Sequence, residues 1–219
     1  MKRQKNHSKI FKINGVGVNL ERFFPVKSTE EKNFLRVEKG FSSEDFILIY
    51  TAEFIPRKNH KLLFDILPDL KKKIPELKVI FCGKGELMEH YKAYAFQYKM
   101  DYVIFTGYTM DVANYCRLSD ILVMPSFQEG LPIAMIEAIA TGLPVVASNI
   151  RGHCDVIEDC VNGFLLRTEN ISGFEKAIFT LYKNPSLRIE MGNRNIKRAK
   201  LFSVDKAVNA MQEIYKTLF

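Results

Sequence analysis

The chain has 219 residues, 47% of them hydrophobic, and a formal net charge of +7, a length that suits about one α/β domain burying roughly 70% of its unfolded surface. No apolar run approaches the roughly 20 residues of a membrane span, and no signal-peptide pattern is visible. The four cysteines, at 82, 116, 154 and 160, form no CxxC pair, so reduced thiols in a cytoplasmic protein are expected.

In chain order, the first element is a basic leading segment. Residues 1–27 hold seven Lys/Arg against one acid, Glu21, whereas the rest of the chain, with 25 bases and 24 acids, is nearly neutral. Such a tail suits either a solvated terminus or peripheral contact with an anionic membrane at the inner face of the cell. Phe23, Phe24 and Pro25 point to docking of its later part on the domain. Nucleic acid is not expected as a partner, because the charge is confined to this tail and the strands carry no recognition motif.

Short apolar runs at Phe46–Ala52, Lys78–Cys82, Tyr102–Thr106, Ile121–Pro125 and Pro144–Ser148 read as strands buried on both faces of a parallel sheet. Helical patterns run between them at Asn59–Ile74, Gly85–Lys99, Asp111–Ser119 and Leu131–Thr141, and further on at Ser172–Lys183, Pro185–Lys200 and Ser203–Leu218. The expected fold is α/β, a Rossmann-like parallel sheet with helices on both faces. Parallel strands would bring five loops, beginning at Glu53, Gly83, Gly107, Ser126 and Asn149, to one edge of the sheet, where ligands of open α/β sheets bind. Those loops carry Arg57-Lys58-Asn59-His60, Gly83-Lys84-Gly85-Glu86, Glu129-Gly130 and Arg151-Gly152-His153. A basic loop, a glycine-flanked lysine at a helix start and two acids facing one crevice suit a phosphorylated sugar or a nucleotide.

The most informative stretch is Ser126–Ala138. From Leu131 to Thr141 the chain is apolar except at Glu137 and Thr141, with Pro132 and Gly142 where a helix would start and stop. A carboxylate in the second turn of so apolar a helix is partly desolvated, which is costly unless hydrogen bonds reach it. Glu129 lies just before that helix, beside Gly130. Several signatures are missing: Gly83-Lys-Gly85 lacks the third glycine of a dinucleotide fingerprint, Met88 standing there, and neither a Walker A nor a Gly-x-Ser-x-Gly sequence occurs. His153, Cys154 and Cys160 have a spacing that fits no zinc pattern, and no metal site is expected.

Glu129-Gly-Leu-Pro…Glu137 resembles the E-x7-E motif of the retaining glycosyltransferases of family 4, also called group 1. Asn14–Pro25 resembles the linker entering that family's second domain, and Asn149–Leu166 resembles its G…E-V-I-x-x-G-x-N-G-x-L segment. The likeness runs from about residue 13 to the C-terminus. It implies half of a GT-B fold, the nucleotide-sugar-binding half, with the N-terminal acceptor domain missing from this chain. The implied organisation is a linker-like segment over 1–27, a nucleotide-sugar-binding domain over 28–202 and a helix over 203–219 that packs toward the missing domain.

The resemblance also implies roles. Glu137 matches the glutamate that binds the donor ribose, and Glu129 the one beside the donor sugar. The backbone amides of Gly130 and Leu131 would face the diphosphate, and Gly83 and Gly85 match the Gly-x-Gly-x turn. Lys58 matches the diphosphate-pairing lysine of a Gly-Arg-x4-Lys pattern whose first two positions are here Ala52 and Glu53, leaving Arg57 as the nearby replacement cation. Lys58 and Glu129 are thus the candidate catalytic residues. The implied activity is metal-independent transfer of a sugar, UDP-linked in the favoured reading, to a polysaccharide or lipid-linked acceptor. Negative charge building on a leaving diphosphate is lowered in energy by fixed cations and helix N-terminal amides, and no Asp-x-Asp sequence is present to hold a divalent ion. Two alternatives share these residues: a nucleotide-sugar 2-epimerase and a non-catalytic regulatory domain that binds a nucleotide sugar.

Overall fold

The structure, a computed structural model, describes residues 11, 13, 15 and 17–217. Its elements are α1 (Thr29–Glu38), β1 (Phe46–Thr51), a 3-10 turn (Pro56–Lys58), α2 (His60–Lys73), β2 (Leu77–Cys82), α3 (Met88–Gln97), β3 (Val103–Gly107), α4 (Val112–Leu118) and β4 (Ile121–Met124). They continue with α5 (Ile133–Ala140), β5 (Val145–Ser148), α6 (Arg151–Cys154), β6 (Gly163–Leu166), α7 (Ile171–Lys183), α8 (Pro185–Ala199), a second 3-10 turn (Lys200–Phe202) and α9 (Val204–Lys216).

The strands form one parallel sheet in the order β3-β2-β1-β4-β5-β6. Strand-to-strand crossovers through helices are right-handed, so the chain covers one face while adding β2 and β3 and the other while adding β4 to β6. The direction of winding reverses between β1 and β4, and that reversal opens a crevice at the carboxyl ends of these two strands. Phe46 to Tyr50 and every residue of β4 and β5 are buried, which is why these strands read as continuous apolar runs rather than alternating ones. On the flanks α2 packs on α7, α1 on α4 and α5 on α8.

Four elements differ from the sequence reading, one of them α6, which forms where a loop was expected. The third helix begins at Met88, not Gly85, so Lys84 lies in the preceding loop rather than at a helix start. A sixth strand, β6, was not expected; it is four residues long and three of them are only half-buried. Helix α1 was also unexpected, because Leu35 is its one buried apolar residue. A near capping box defines its start. The Glu31 amide donates to Ser28 Oγ (3.3 Å), and the Lys27 amide donates to the Glu31 carboxylate (2.6 Å).

Polar anchors hold α1 to the sheet. Arg36, 5% exposed, donates to Asp120 Oδ2 (2.7 Å) and to the carbonyls of Leu118 (3.0 Å) and Ser43 (2.8 Å), while Lys32 donates to Asp120 Oδ1 (2.7 Å). The Ile47 amide adds a bond to Asp120 Oδ2 (2.8 Å), tying the start of β1 to the residue before β4.

Most of the basic leading segment, with Asn14 and Val16 of the linker-like stretch, and Leu218 at the far end, lie outside the described residues. From Val18 onward the chain docks: the Val18 amide donates to the Phe202 carbonyl (2.8 Å) and the Val204 amide to the Val18 carbonyl (3.1 Å), and Phe23 is buried. Helix α9 buries none of its residues and leaves Val204, Val208 and Tyr215 exposed. Among the described residues, no helix is long and apolar enough to cross a membrane.

Candidate active site

The loops after β1 and β4 meet over the crevice. Past β1 the chain makes the 3-10 turn ending at Lys58 and then Asn59 in the left-handed region (φ 51°), a conformation that Asn tolerates better than most residues. Asn59 Nδ2 donates to the Pro125 carbonyl (3.1 Å) and the Phe127 amide to the Arg57 carbonyl (2.8 Å). These bonds bring Lys58 Nζ within 2.5 Å of Glu129 Oε1, with both side chains mostly out of water. Ser126 Oγ donates to the same Glu129 oxygen (2.8 Å). Below it the buried Tyr50 hydroxyl donates to the Lys58 carbonyl (2.6 Å) and lies 3.1 Å from Ser126 Oγ. Burial is the main force raising the Tyr50 pKa, so the phenol stays neutral.

Two depressions flank the Lys58–Glu129 pair. One, of about 340 Å3, is lined by Ala52, Glu53, Arg57, Lys58, Gly83 and Ala134 among others; the second, of about 520 Å3, is lined by Phe127, Glu129, Gly130, Leu131, Arg151 and Gly152. Glu137 lies on α5 one turn beyond Ala134, on the side of the first depression. It is half-buried, and its burial raises the carboxyl pKa against an opposing pull from Arg22. No hydrogen bond or ion pair engages the Glu137 carboxylate among the described residues, nor the side chains of Glu53, Arg57 and Arg151, all three exposed.

The glycine turn has a structural reason of its own. Gly83 (φ +148°) and Gly85 (φ +156°) let this loop press against the β1 loop, where a Cβ would stand 2.0 Å from the Ala52 carbonyl oxygen and 2.5 Å from that of Phe54. Gly152 does the same on the other side, where a Cβ would stand 2.0 Å from the Gly130 carbonyl oxygen. Close backbone approach thus fixes both walls of the crevice.

The two histidines of the expected basic loops are not part of its surface. His60 is buried, stacked on Phe54 at 4.1 Å and against Tyr50 at 4.8 Å. Burial, then the Lys58 charge, push its pKa down to about 3, so it packs as a neutral ring. His153 turns inward, its Nδ1 2.9 Å from the Ser148 carbonyl, and burial lowers its pKa as well. Sequence reasoning quoted Ser126 without a role and passed over Tyr50 altogether. The available signal was a polar tip ending an otherwise apolar strand.

Another depression, of about 540 Å3, lies on the α8 side and includes Arg194, Lys197 and Arg198. Its arginines are already committed to backbone carbonyls: Arg194 to Val161 (2.8 Å), Arg198 to Val156 (3.2 Å) and Asp155 (2.7 Å). Lys58 and Glu129, by contrast, keep spare hydrogen-bonding capacity. An ammonium has three donors and a carboxylate two oxygens.

Comparison with known proteins is consistent with this geometry. Residues 31–198 match the family model described as Glycosyl transferases group 1. The chain is 38% identical over 205 residues to the "Putative glycosyltransferase EpsD" of Bacillus subtilis (strain 168), covering 93% of this chain and 54% of that protein. It is 29% identical over 206 residues to the "UDP-Gal:alpha-D-GlcNAc-diphosphoundecaprenol alpha-1,3-galactosyltransferase" of Escherichia coli, covering 91% and 52%. Among solved structures, S. aureus TarM, a variant in complex with Fondaparinux, alpha-GlcNAc-glycerol and UDP, superposes with a TM-score of 0.72 at 25% identity over 78% of this chain and 36% of that one. Anabaena Alr3699/HepE in complex with UDP-glucose superposes with a TM-score of 0.77 at 22% identity over 92% and 55%, a likeness of fold. The chain spans about half the length of the curated relatives it matches.

Proposed function

The chain belongs to the group 1 glycosyl transferases, and on that premise we propose that its β1/β4 crevice is the donor site of a retaining, family 4 type enzyme. The donor is a nucleotide sugar, UDP-linked in the favoured reading, and the acceptor a polysaccharide or glycolipid. The observation that carries the reading is the Lys58–Glu129 pair at the reversal of the sheet, 2.5 Å apart and flanked by two open depressions.

Lys58, with Arg57 beside it, takes the diphosphate together with the backbone amides of Gly130 and Leu131. Glu137 accepts from the ribose hydroxyls, and Glu129 stands beside the sugar. As the glycosidic bond breaks, charge grows on the leaving diphosphate, and Lys58 and the amides are already aimed at it. In a retaining reaction on one face, a diphosphate oxygen takes the acceptor proton, so no side chain acts as a covalent nucleophile and no metal is required. The exposed apolar residues of α9 support an acceptor-side half docking there. Without that half, the two reactants are not held together in one water-poor cleft, and transfer by the 219 residues alone is weak. Work on lipid-linked or polysaccharide acceptors suits a protein at the cytoplasmic face of the membrane.

Calorimetric titration with UDP, GDP, uridine and a short oligonucleotide tests the reading. UDP binding, largely lost in Lys58→Ala while uridine binding is kept, is the expected outcome. Equal loss of both ligands would remove Lys58 from the diphosphate, and preference for the oligonucleotide would overturn the proposal. A regulatory, non-catalytic domain is the second reading, favoured by the acid Glu53 at the position where the family pattern has arginine. Nucleotide-sugar binding with no transfer even when an acceptor-side half is supplied would select it.

A further inference from the structure

Glu129 is held in an uneven way. Oε1 receives two donors, Lys58 Nζ at 2.5 Å and Ser126 Oγ at 2.8 Å, whereas no partner engages Oε2 among the described residues. Lys58 Nζ spends one of its three hydrogens on this contact and keeps two. The pair is therefore a fixed two-sided unit, with one open carboxylate oxygen on the side of Gly130 and Arg151 and a cation on the side of Arg57 and Gly83.

What fixes it lies underneath. Ser126 is fully buried, as is the Tyr50 side chain. The Tyr50 hydroxyl donates its one hydrogen to the Lys58 carbonyl at 2.6 Å and lies 3.1 Å from Ser126 Oγ, whose own hydrogen goes to Glu129, so the phenol braces the backbone carrying the cation and the serine orients the anion. Phe in place of Tyr50 keeps the ring in the core and removes only the donor to the Lys58 carbonyl.

We propose that Tyr50 and Ser126 are positioning residues that hold Glu129 and Lys58 in register, leaving Glu129 Oε2 as a single pre-aimed acceptor for one hydroxyl of the donor sugar. The inference rests on the donor-site reading above and adds to it a division of labour. Ser126 acts on the recognition of the sugar through Glu129, and Tyr50 braces the backbone that carries Lys58. Orientation of this kind is effective because a carboxylate held by fixed donors needs no reorganisation when the ligand arrives.

The test compares UDP with a UDP-sugar on the 219-residue chain. Calorimetry first establishes which of UDP-glucose, UDP-galactose and UDP-N-acetylglucosamine the unsubstituted chain prefers over UDP. Ser126→Ala should then weaken that nucleotide sugar about tenfold, the value of one hydrogen bond to a charged group, while UDP changes less than about twofold. Tyr50→Phe, which takes the donor from the Lys58 carbonyl, should weaken UDP and the nucleotide sugar alike. Because Ser126 acts through Glu129, Ser126→Ala combined with Glu129→Gln should lose no more than Glu129→Gln alone. Additive losses in the double variant, or equal weakening of UDP and UDP-sugar by Ser126→Ala, overturn the positioning role. Failure of the unsubstituted chain to bind any uridine nucleotide overturns the donor-site reading itself, and UDP binding with no preference for any sugar overturns this inference alone.

Discussion

β1 and β4 carry a charged cluster at each end, and the two clusters are built differently. At the amino ends, Asp120 spends both oxygens: Oδ1 on Lys32, Oδ2 on Arg36 and on the Ile47 amide. Arg36 in turn spends two further donors on carbonyls. At the carboxyl ends, Glu129 concentrates its partners on one oxygen, Lys58 keeps free hydrogens, and Glu137 has no partner among the described residues. A buried carboxylate with both oxygens engaged specifies and holds a fold. An unsaturated one, at the edge where open α/β sheets bind ligands, is held in a state that a ligand completes. The same two strands thus show that charge alone does not mark a site, whereas spare hydrogen-bonding capacity at the right edge does.

The largest effect that would break this comparison is at the closed end. Asp120→Ala strands the guanidinium of Arg36 without its counter-charge, and loss of one partner of a buried pair costs about 3–5 kcal/mol. Urea denaturation should show that loss, with nucleotide affinity intact in the fraction that folds. A small loss would mean that the cluster is not a structural anchor.

At the open end, Glu137→Ala should weaken uridine nucleotides at least about tenfold, since hydrogen bonds to a charged group are worth about 1.5–3 kcal/mol each, with little loss of fold. Glu137→Gln sharpens the point through pH. Burial holds the folded carboxyl above its ordinary value of 4.5, so its contribution to stability is full below that value and is lost as pH rises through the folded one. The glutamine variant should therefore gain stability over the parent as pH rises above about 4.5, read as the difference in urea midpoints. Nucleotide binding by the parent should weaken as pH falls through the same window. A flat difference would show that the carboxylate is not strained in the empty site.

A smaller effect is expected at Glu53, which is exposed and unpaired among the described residues. Glu53→Arg should tighten UDP a few-fold, by about 0.5–1 kcal/mol for a partly screened charge, and leave uridine unchanged in the same titration. Smallest of all, Lys61→Ala removes an exposed pair with Asp65 on α2 and should change stability by about 0.3–0.5 kcal/mol. A larger change would undo the distinction between solvated pairs and the buried cluster.

The sheet was largely legible because its central strands are apolar on both faces, so Phe46–Thr51 and Val145–Ser148 stand out as runs without any need for partners. β6 was not, because four residues at an edge, three of them half-buried, carry too little pattern. α1 was hidden for a different reason: Arg36 does the anchoring, and a charged residue counts as solvent-facing in any reading of periodicity. At the crevice, motif spacing singles out Lys58 and Glu129, which the structure brings into contact, and an acid on an apolar helix singles out Glu137. The Tyr50–Ser126 brace was not legible, because it depends on the register of β1 against β4, Leu48 opposite Ile121 and Ile49 opposite Leu122, across some seventy residues of chain. His60 and His153 were read as loop groups because the local sequence does not reveal that their rings turn inward.

The most direct test of the central claim is a crystal structure of this chain grown with UDP. The account predicts the diphosphate within hydrogen-bond reach of Lys58 Nζ and the Gly130 and Leu131 amides, with the ribose on the Glu137 carboxylate. UDP seated in the α8-side depression among Arg194, Lys197 and Arg198, with the Lys58–Glu129 pair untouched, would contradict it.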